Sequence, residues 1–460
     1  MATNGGQVRI AIVADDLTGA GDSAVQFVGP SVDVRIVLSD DAPRGAVRAD
    51  TPADTAGAEA RTVVRAYPAD SRALAAEAAA SATAHAVSRA VSDGAHSLFV
   101  KVDSTLRGSV AHQIDGALSE WRRTHPSSFA VVCPAYPRMG RTVEDAVVRV
   151  HGRPVAHTAA ATDPVTAMSA SDLGTLLPHS VHVRASGAGA LADALVSAGR
   201  SGAVVTMDAR TDAELAQVAA AIDALGGIAV PVGSAGLASA MAAVWLAVDS
   251  ESVEGAPLPP HRSLSVAPIG PERADVTDAV PRILVVVSSL HAVSRTQAAA
   301  LVRERGPADV AVREPTAEEL RDRAAAARFV SGARNPRGAR GDGAQGVTLL
   351  LSPAPVRGGA AVDVTARTRP SAETVADSLA RVALGLVREQ GIDTVVLVGG
   401  DGARAVLDAS GARAMRVDGQ PLEGVVLGEV IGGELSGLRV ITKSGGFGDD
   451  RTLIDVLETL

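Results

Sequence analysis

Short Val- and Ile-rich runs alternate with helical stretches along most of the chain, and this alternation limits the fold more than any other feature. Val8–Ala14 (VRIAIVA) predicts a strand buried on both faces, because polar residues do not alternate within it. Strands are likewise expected over 32–38, 97–102, Phe129–Cys133 and 203–207, with helices over 22–27, 73–92, 110–123 and 212–225. Residues 249–281 are rich in Pro and Ser and lack periodicity. After them the pattern restarts, with strands at Ile283–Val287, Val347–Leu351, Thr394–Val398 and 439–442, and helices at 295–304, 372–390 and 403–409. Residues 331–346 read as a Gly- and Arg-rich excursion. Strands alternating with helices imply βαβ units. The expected fold is therefore α/β, with two domains, each a mostly parallel sheet flanked by helices, and the active site in the interdomain cleft. The domains would span residues 1–248 and 282–460, joined by a linker over 249–281. The chain has 460 residues, beyond the roughly 250–300 at which one core stops growing.

Several classes of function are disfavoured by composition. The formal charge of −9 argues against a nucleic-acid partner, since phosphate backbones attract basic faces. No stretch approaches the ~20 uninterrupted apolar residues of a membrane span, and the first residues lack the pattern of a secretory signal. The single cysteine, Cys133, rules out disulfides within the chain and suits the reducing cytoplasm. Of 43 basic residues only two are Lys, Lys101 and Lys443. A chain that otherwise writes Arg is expected to keep Lys where a compact point charge is needed.

In open α/β sheets, ligands bind where strands end. The first strand runs into Asp15-Asp16-Leu17-Thr18-Gly19-Ala20-Gly21-Asp22, where a carboxylate can orient or deprotonate a hydroxyl. The strand at 97–102 runs into Lys101-Val102-Asp103-Ser104-Thr105-Leu106-Arg107-Gly108. There Lys101 and Arg107 can hold an anionic group while Asp103 and Ser104 bind hydroxyls. Asp70-Ser71-Arg72 and the rigid, basic run 134–142 are weaker signals of the same kind.

The second half ends its strands on glycines and hydroxyls: Ser288-Ser289, then Gly399-Gly400-Asp401-Gly402, then Ser444-Gly445-Gly446-Phe447-Gly448 after Lys443. Glycines let backbone amides approach a polyphosphate, and helix N-termini favour negative charge. A nucleotide is the expected ligand. Neither lysine follows a glycine, so a P-loop is excluded, and no H-E-x-x-H zinc motif occurs. The ten histidines show no metal-ligand spacing, so no protein-held metal site is expected.

Together these segments resemble the four-carbon acid sugar kinase family, the threonate, erythronate and 3-oxo-tetronate 4-kinases. The motifs occur in order: ADDLTGAGD (14–22), DSR (70–72), KVDSTLRG (101–108), PAYPRMGRT (134–142), GSAGLA (233–238), VGGDG (398–402) and KSGGFG (443–448). The resemblance implies an N-terminal acid-sugar-binding domain, a C-terminal nucleotide-binding domain, and transfer from ATP with Mg²⁺ to the 4-hydroxyl. The acid sugar would meet Asp15, Asp16, Arg72, Lys101, Asp103 and Ser104, with Arg107 nearby. ATP would meet Ser289, Gly399, Gly400, Asp401, Gly402, Lys443, Gly445 and Gly446. The form KVDSTLRG is closer to the threonate/erythronate branch. Four positions depart from the family pattern, all in the nucleotide half. Ser288 stands where Gly is expected, His291 for Ser, Gly402 for Thr or Ser, and Gly446 for Asn.

Phosphoryl transfer asks a protein for alignment and charge neutralisation. In the expected mechanism Arg72, helped by Lys101 or Arg107, clamps the acid's carboxylate. Asp16 or Asp103 holds the terminal hydroxyl and accepts its proton, and Mg²⁺ bridges the phosphates mostly through water. A homodimer stays open. So do a non-catalytic acid-sugar sensor and a dinucleotide-dependent oxidoreductase. The oxidoreductase reading draws on Gly19-x-Gly21-x-x-Ala24 and Gly400-x-Gly402-x-x-Ala405.

Overall fold

A computed structural model describes residues 7–39, 62–163, 165–184, 187–247, 281–320, 322–332, 346–353 and 375–460. The expected linker lies outside these residues except for Pro281, as does nearly all of the 331–346 excursion. The chain divides into two compact units, Met1–His261 and Arg262–Leu460.

The first unit is built on eight parallel strands: β1 (Val8–Ala14), β2 (Val32–Val37), β3 (Thr62–Pro68), β4 (Ser97–Lys101), β5 (Phe129–Cys133), β9 (Val181–Val183), β10 (Val204–Met207) and β11 (Ala229–Gly233). Their order across the sheet is β2-β3-β1-β4-β11-β5-β10-β9. Both faces are covered, which is why β5 and the 10–14 stretch of β1 read as unbroken apolar runs and are buried throughout, with Arg9 exposed near the start of β1. Register decides where the chemistry goes. Ala14 lies opposite both Pro68 of β3 and Lys101 of β4, so three loops leave the sheet along one line. A small antiparallel sheet of β6 (Arg141–Glu144), β7 (Val147–Val150) and β8 (Arg153–Pro154) follows the rigid 134–142 segment.

The second unit carries β12 (Ile283–Val287), β13 (Val310–Arg313), β14 (Val347–Leu351), β15 (Thr394–Val398) and β18 (Arg439–Lys443) in parallel, ordered β13-β14-β12-β15-β18. The hairpin β16 (Ala414–Leu422) and β17 (Val425–Ile431) adds to β18 antiparallel. Val398 pairs with Val287 on one side and Lys443 on the other, so again three loops exit together. The core beneath them is Val, Leu, Ile and Ala, as expected where aromatics are scarce. Among the described residues no helix is long and apolar enough to cross a membrane.

Candidate active site

Asp15 and Asp16 occupy the exit of β1 and do different jobs. Asp15 is tied into the backbone: its N–H donates to the Lys101 carbonyl (3.2 Å), and its carbonyl accepts from Ser71 (2.9 Å) and Arg72 (3.2 Å). Its side chain is fully buried and takes two bonds from Arg72, at 2.7 and 2.9 Å, with Lys101 Nζ at 3.7 Å. Asp16 caps the Leu17–Ala24 helix by accepting from the Gly19 N–H (2.6 Å). It also accepts from Thr18 Oγ1 (2.9 Å) and Arg72 Nη1 (2.6 Å), and its side chain keeps 19% of its surface.

The β4 exit supplies a second carboxylate–guanidinium pair. Asp103 accepts from Arg107 at 3.1 and 2.8 Å, from the Thr105 N–H (3.0 Å) and from the Thr105 hydroxyl. A carboxylate offers about four lone-pair positions. Asp103 takes four bonds, three of them on Oδ2, and Asp16 takes three, so each carboxylate keeps one accepting position on Oδ1. The two carboxylates named from sequence differ in exposure and tethering: the Asp16 side chain keeps 19% of its surface and can take a ligand hydroxyl, while that of Asp103 keeps 10% and braces Arg107 through two bonds. Arg107 is also gripped by Asp163 (2.7 Å) from a loop 56 residues downstream.

The cations differ in the same way. Arg72 and Arg107 each spend three of their five N–H groups on Asp side chains, leaving two. Lys101 is 6% exposed and its ammonium makes no hydrogen bond among the described residues, the Asp15 ion pair being its contact. It is the positive group here with all its donors available. It fits because residue 19 is glycine: a Cβ there would lie 2.7 Å from Lys101 Nζ and 2.6 Å from Asp16 Oδ1. The loops hold these groups in unusual backbone. Asp70 (φ 48°) and Leu106 (φ 58°), two residues before Arg72 and one before Arg107, lie in the left-handed region.

Burial alone would raise the Asp16 carboxyl, but the charges of Arg72 and Lys101 and the bonds from Gly19 and Thr18 bring it below its ordinary value. Asp103 is likewise penalised by burial, and Arg107, Arg72 and Thr105 overcome this to hold it well below. Both are ionised at neutral pH and both bind a proton weakly. Cys133, at the end of β5, is pushed up to about 12 by burial, so it is an inert thiol.

The second unit gathers its sequence-derived residues around the exits of β12, β15 and β18. The N–H groups of Ser288 and Ser289 donate to the Val398 carbonyl (3.1 and 3.3 Å), and that of Gly399 to Lys443 (2.9 Å). Gly399, at φ 109°, starts the Gly400–Ala409 helix without any side-chain cap, so its first amides are not taken by a capping side chain. Gly446 and Asp401 are exposed, while Gly445 is buried with its carbonyl held by Ser294 Oγ (2.5 Å). Lys443 is wholly buried and donates to the Ser444 carbonyl (2.8 Å), so its charge acts on the loop from beneath. Among the described residues no group of three or more His, Cys, Asp or Glu is arranged to hold a metal ion.

Asp163 and Ser294 are not legible as members of these sites in the sequence, while Ser288 is placed at its strand exit without a role. Asp163 has no local signal, whereas Ser288 stood out as a departure from the family pattern.

Comparison with known proteins divides the chain in the same way. Family models for a sugar-binding N-terminal domain and a nucleotide-binding C-terminal domain match residues 10–241 and 284–453. The D-threonate kinase of Bordetella bronchiseptica is 37% identical over 451 residues, covering 98% of this chain and 97% of that one. The D-threonate kinase of Cupriavidus necator is 32% identical over 456 residues, covering 96% and 95%. A crystal structure from Salmonella typhimurium, 18% identical over 97% of this chain and 98% of that one, has a TM-score of 0.68 and supports the fold alone.

Proposed function

The chain belongs to the four-carbon acid sugar kinase family, and from that premise we propose that it transfers the γ-phosphoryl group of ATP to the 4-hydroxyl of D-threonate. It is a kinase, and neither the non-catalytic sensor nor the oxidoreductase is favoured. The choice of D-threonate within the family rests on the two relatives above and on the KVDSTLRG segment.

The observation that carries the reading is the pairing of Lys101, a buried ammonium with unused donors, with Asp16, a carboxylate with one lone-pair position open. The two groups stand on neighbouring strand exits. A hydroxylated carboxylate is the ligand that answers both. Lys101 attracts the acid, and the two remaining N–H groups on each of Arg72 and Arg107 can complete its carboxylate. Asp16 takes the 4-hydroxyl and aims its oxygen.

Because the Asp16 carboxyl lies below its ordinary value, it is a weak proton store. This suits a loose transition state, in which little proton transfer is needed before the P–O bond breaks. The proton passes to Asp16 or onward to solvent as the O–P bond forms. On the donor side the uncapped amides at Gly400 to Gly402 and the loop at Gly445 and Gly446 would receive the phosphates. Mg²⁺, supplied with the nucleotide, would neutralise phosphate charge, with the exposed Asp401 touching its water shell. The buried thiol suits the reducing cytoplasm, where we place the protein.

A coupled ADP-release assay against D-threonate, D-erythronate and 3-oxo-tetronate tests the proposal. The expected result is ADP formation that requires the acid and is fastest with D-threonate. ADP release that ignores all three acids would sink it.

A further inference from the structure

Two of the departures from the family pattern meet in space. A Cβ placed on Gly402 would lie 2.1 Å from Ser288 Oγ and 2.2 Å from Ser288 Cβ, far inside any non-bonded contact. Neither partner is free to step aside. Gly402 is buried in the first turn of the Gly400–Ala409 helix. Ser288 is fixed at the end of β12, where its N–H (3.1 Å) and its hydroxyl (3.0 Å) both donate to the Val398 carbonyl. The next serine repeats the arrangement on the other side, since a Cβ on Gly445 would lie 2.1 Å from Ser289 Oγ. The two serines thus fill glycine notches in the two Gly-rich loops.

We infer that Ser288 is a nucleotide-positioning residue, and that positions 288 and 402 form one exchangeable unit in which only one of the two can carry a side chain. This deepens, and rests on, the reading that the second unit holds the nucleotide. The side chain at the head of the helix comes here from β12 instead of from the helix itself. Its hydroxyl holds the Val398 carbonyl, and so fixes the backbone that turns at Gly399 into the uncapped first turn of the helix. The serine at 288 and the glycine at 402 are therefore a compensated pair, and the altered motif is not a worn-out one.

The test is a set of four variants of the full-length protein, with KM for ATP and for D-threonate measured separately and ATP affinity measured by titration calorimetry. Ser288→Ala keeps the volume and removes the hydroxyl. It is expected to raise KM for ATP about fivefold while KM for the acid and the melting temperature stay put. Gly402→Ser forces a second side chain into filled space and is expected to raise KM for ATP at least about tenfold. Ser288→Gly with Gly402→Ser exchanges the two residues and is expected to restore KM for ATP to within about twofold of wild type. Ser288→Gly alone should fall between. An unchanged KM for ATP in Ser288→Ala overturns the positioning role. A double variant no better than Gly402→Ser overturns the exchange. If wild type binds ATP but phosphorylates no acid, the functional reading fails, while the calorimetric affinities of the same variants still decide this inference.

Discussion

Asp15 and Asp16 are neighbours in sequence with opposed physical roles, and single substitutions separate them. Asp16→Asn preserves the N-cap, because an amide oxygen accepts from Gly19 as a carboxylate does. It should lower kcat by about 10²–10⁴-fold, and because it removes the carboxylate that Arg72 Nη1 holds at 2.6 Å it should also lower the denaturation midpoint, though by less than Asp15→Asn does. Asp15→Asn leaves the buried Lys101 without its ion-pair partner and Arg72 with Asp16 alone, and chemical denaturation should show a loss of about 3–5 kcal/mol. Acid sensitivity follows from the same ion pairs. Asp16 and Asp103 sit below their ordinary value of 3.8 when folded, so their contribution is full above that value and is lost as pH falls through the lower folded values. Melting temperature should hold from neutrality to about pH 4 and then drop, and Asp103→Asn should flatten the drop. Melts that decline steadily from pH 7 would contradict this assignment.

At the level of elements, the Leu17–Ala24 helix begins where it does so that Gly19 can pass beneath Lys101. Gly19→Ala should push the ammonium aside and raise KM for the acid by about tenfold with KM for ATP unchanged, as steady-state kinetics would show. The exits of β1, β4, β12, β15 and β18 are legible in the sequence, because apolar strands followed by Asp, Lys, Ser or Gly clusters stand out locally. Elements whose polar content has a tertiary explanation are not legible. Strand β3 carries Arg65 mid-run, which is tolerated because Arg65 pairs with Asp33 of β2 at 2.6 Å. Strand β11 carries Pro231, normally a strand breaker. It pairs with β5 along its whole length but with β4 only at Val232 and Gly233, so the missing N–H interrupts little. The β16–β17 hairpin hides behind the Pro and Gly residues that mark its bulges. The bond between Arg107 and Asp163 depends on two loops meeting, which no local pattern announces.

For the whole molecule the account is a division of labour. In the proposed function the first unit would bind a hydroxylated acid through Lys101 and Asp16, and the second would bind the nucleotide through amides around Gly400 and Gly446. Substitutions in the first should move the acid's KM, those in the second ATP's, with little crossover. The most direct check is calorimetric titration of D-threonate into nucleotide-free wild-type protein and into Lys101→Met, with ATP titrated into both as the control. The account predicts that Lys101→Met weakens the acid by at least about tenfold and leaves ATP affinity as it was. Equal affinity of both proteins for the acid would contradict it.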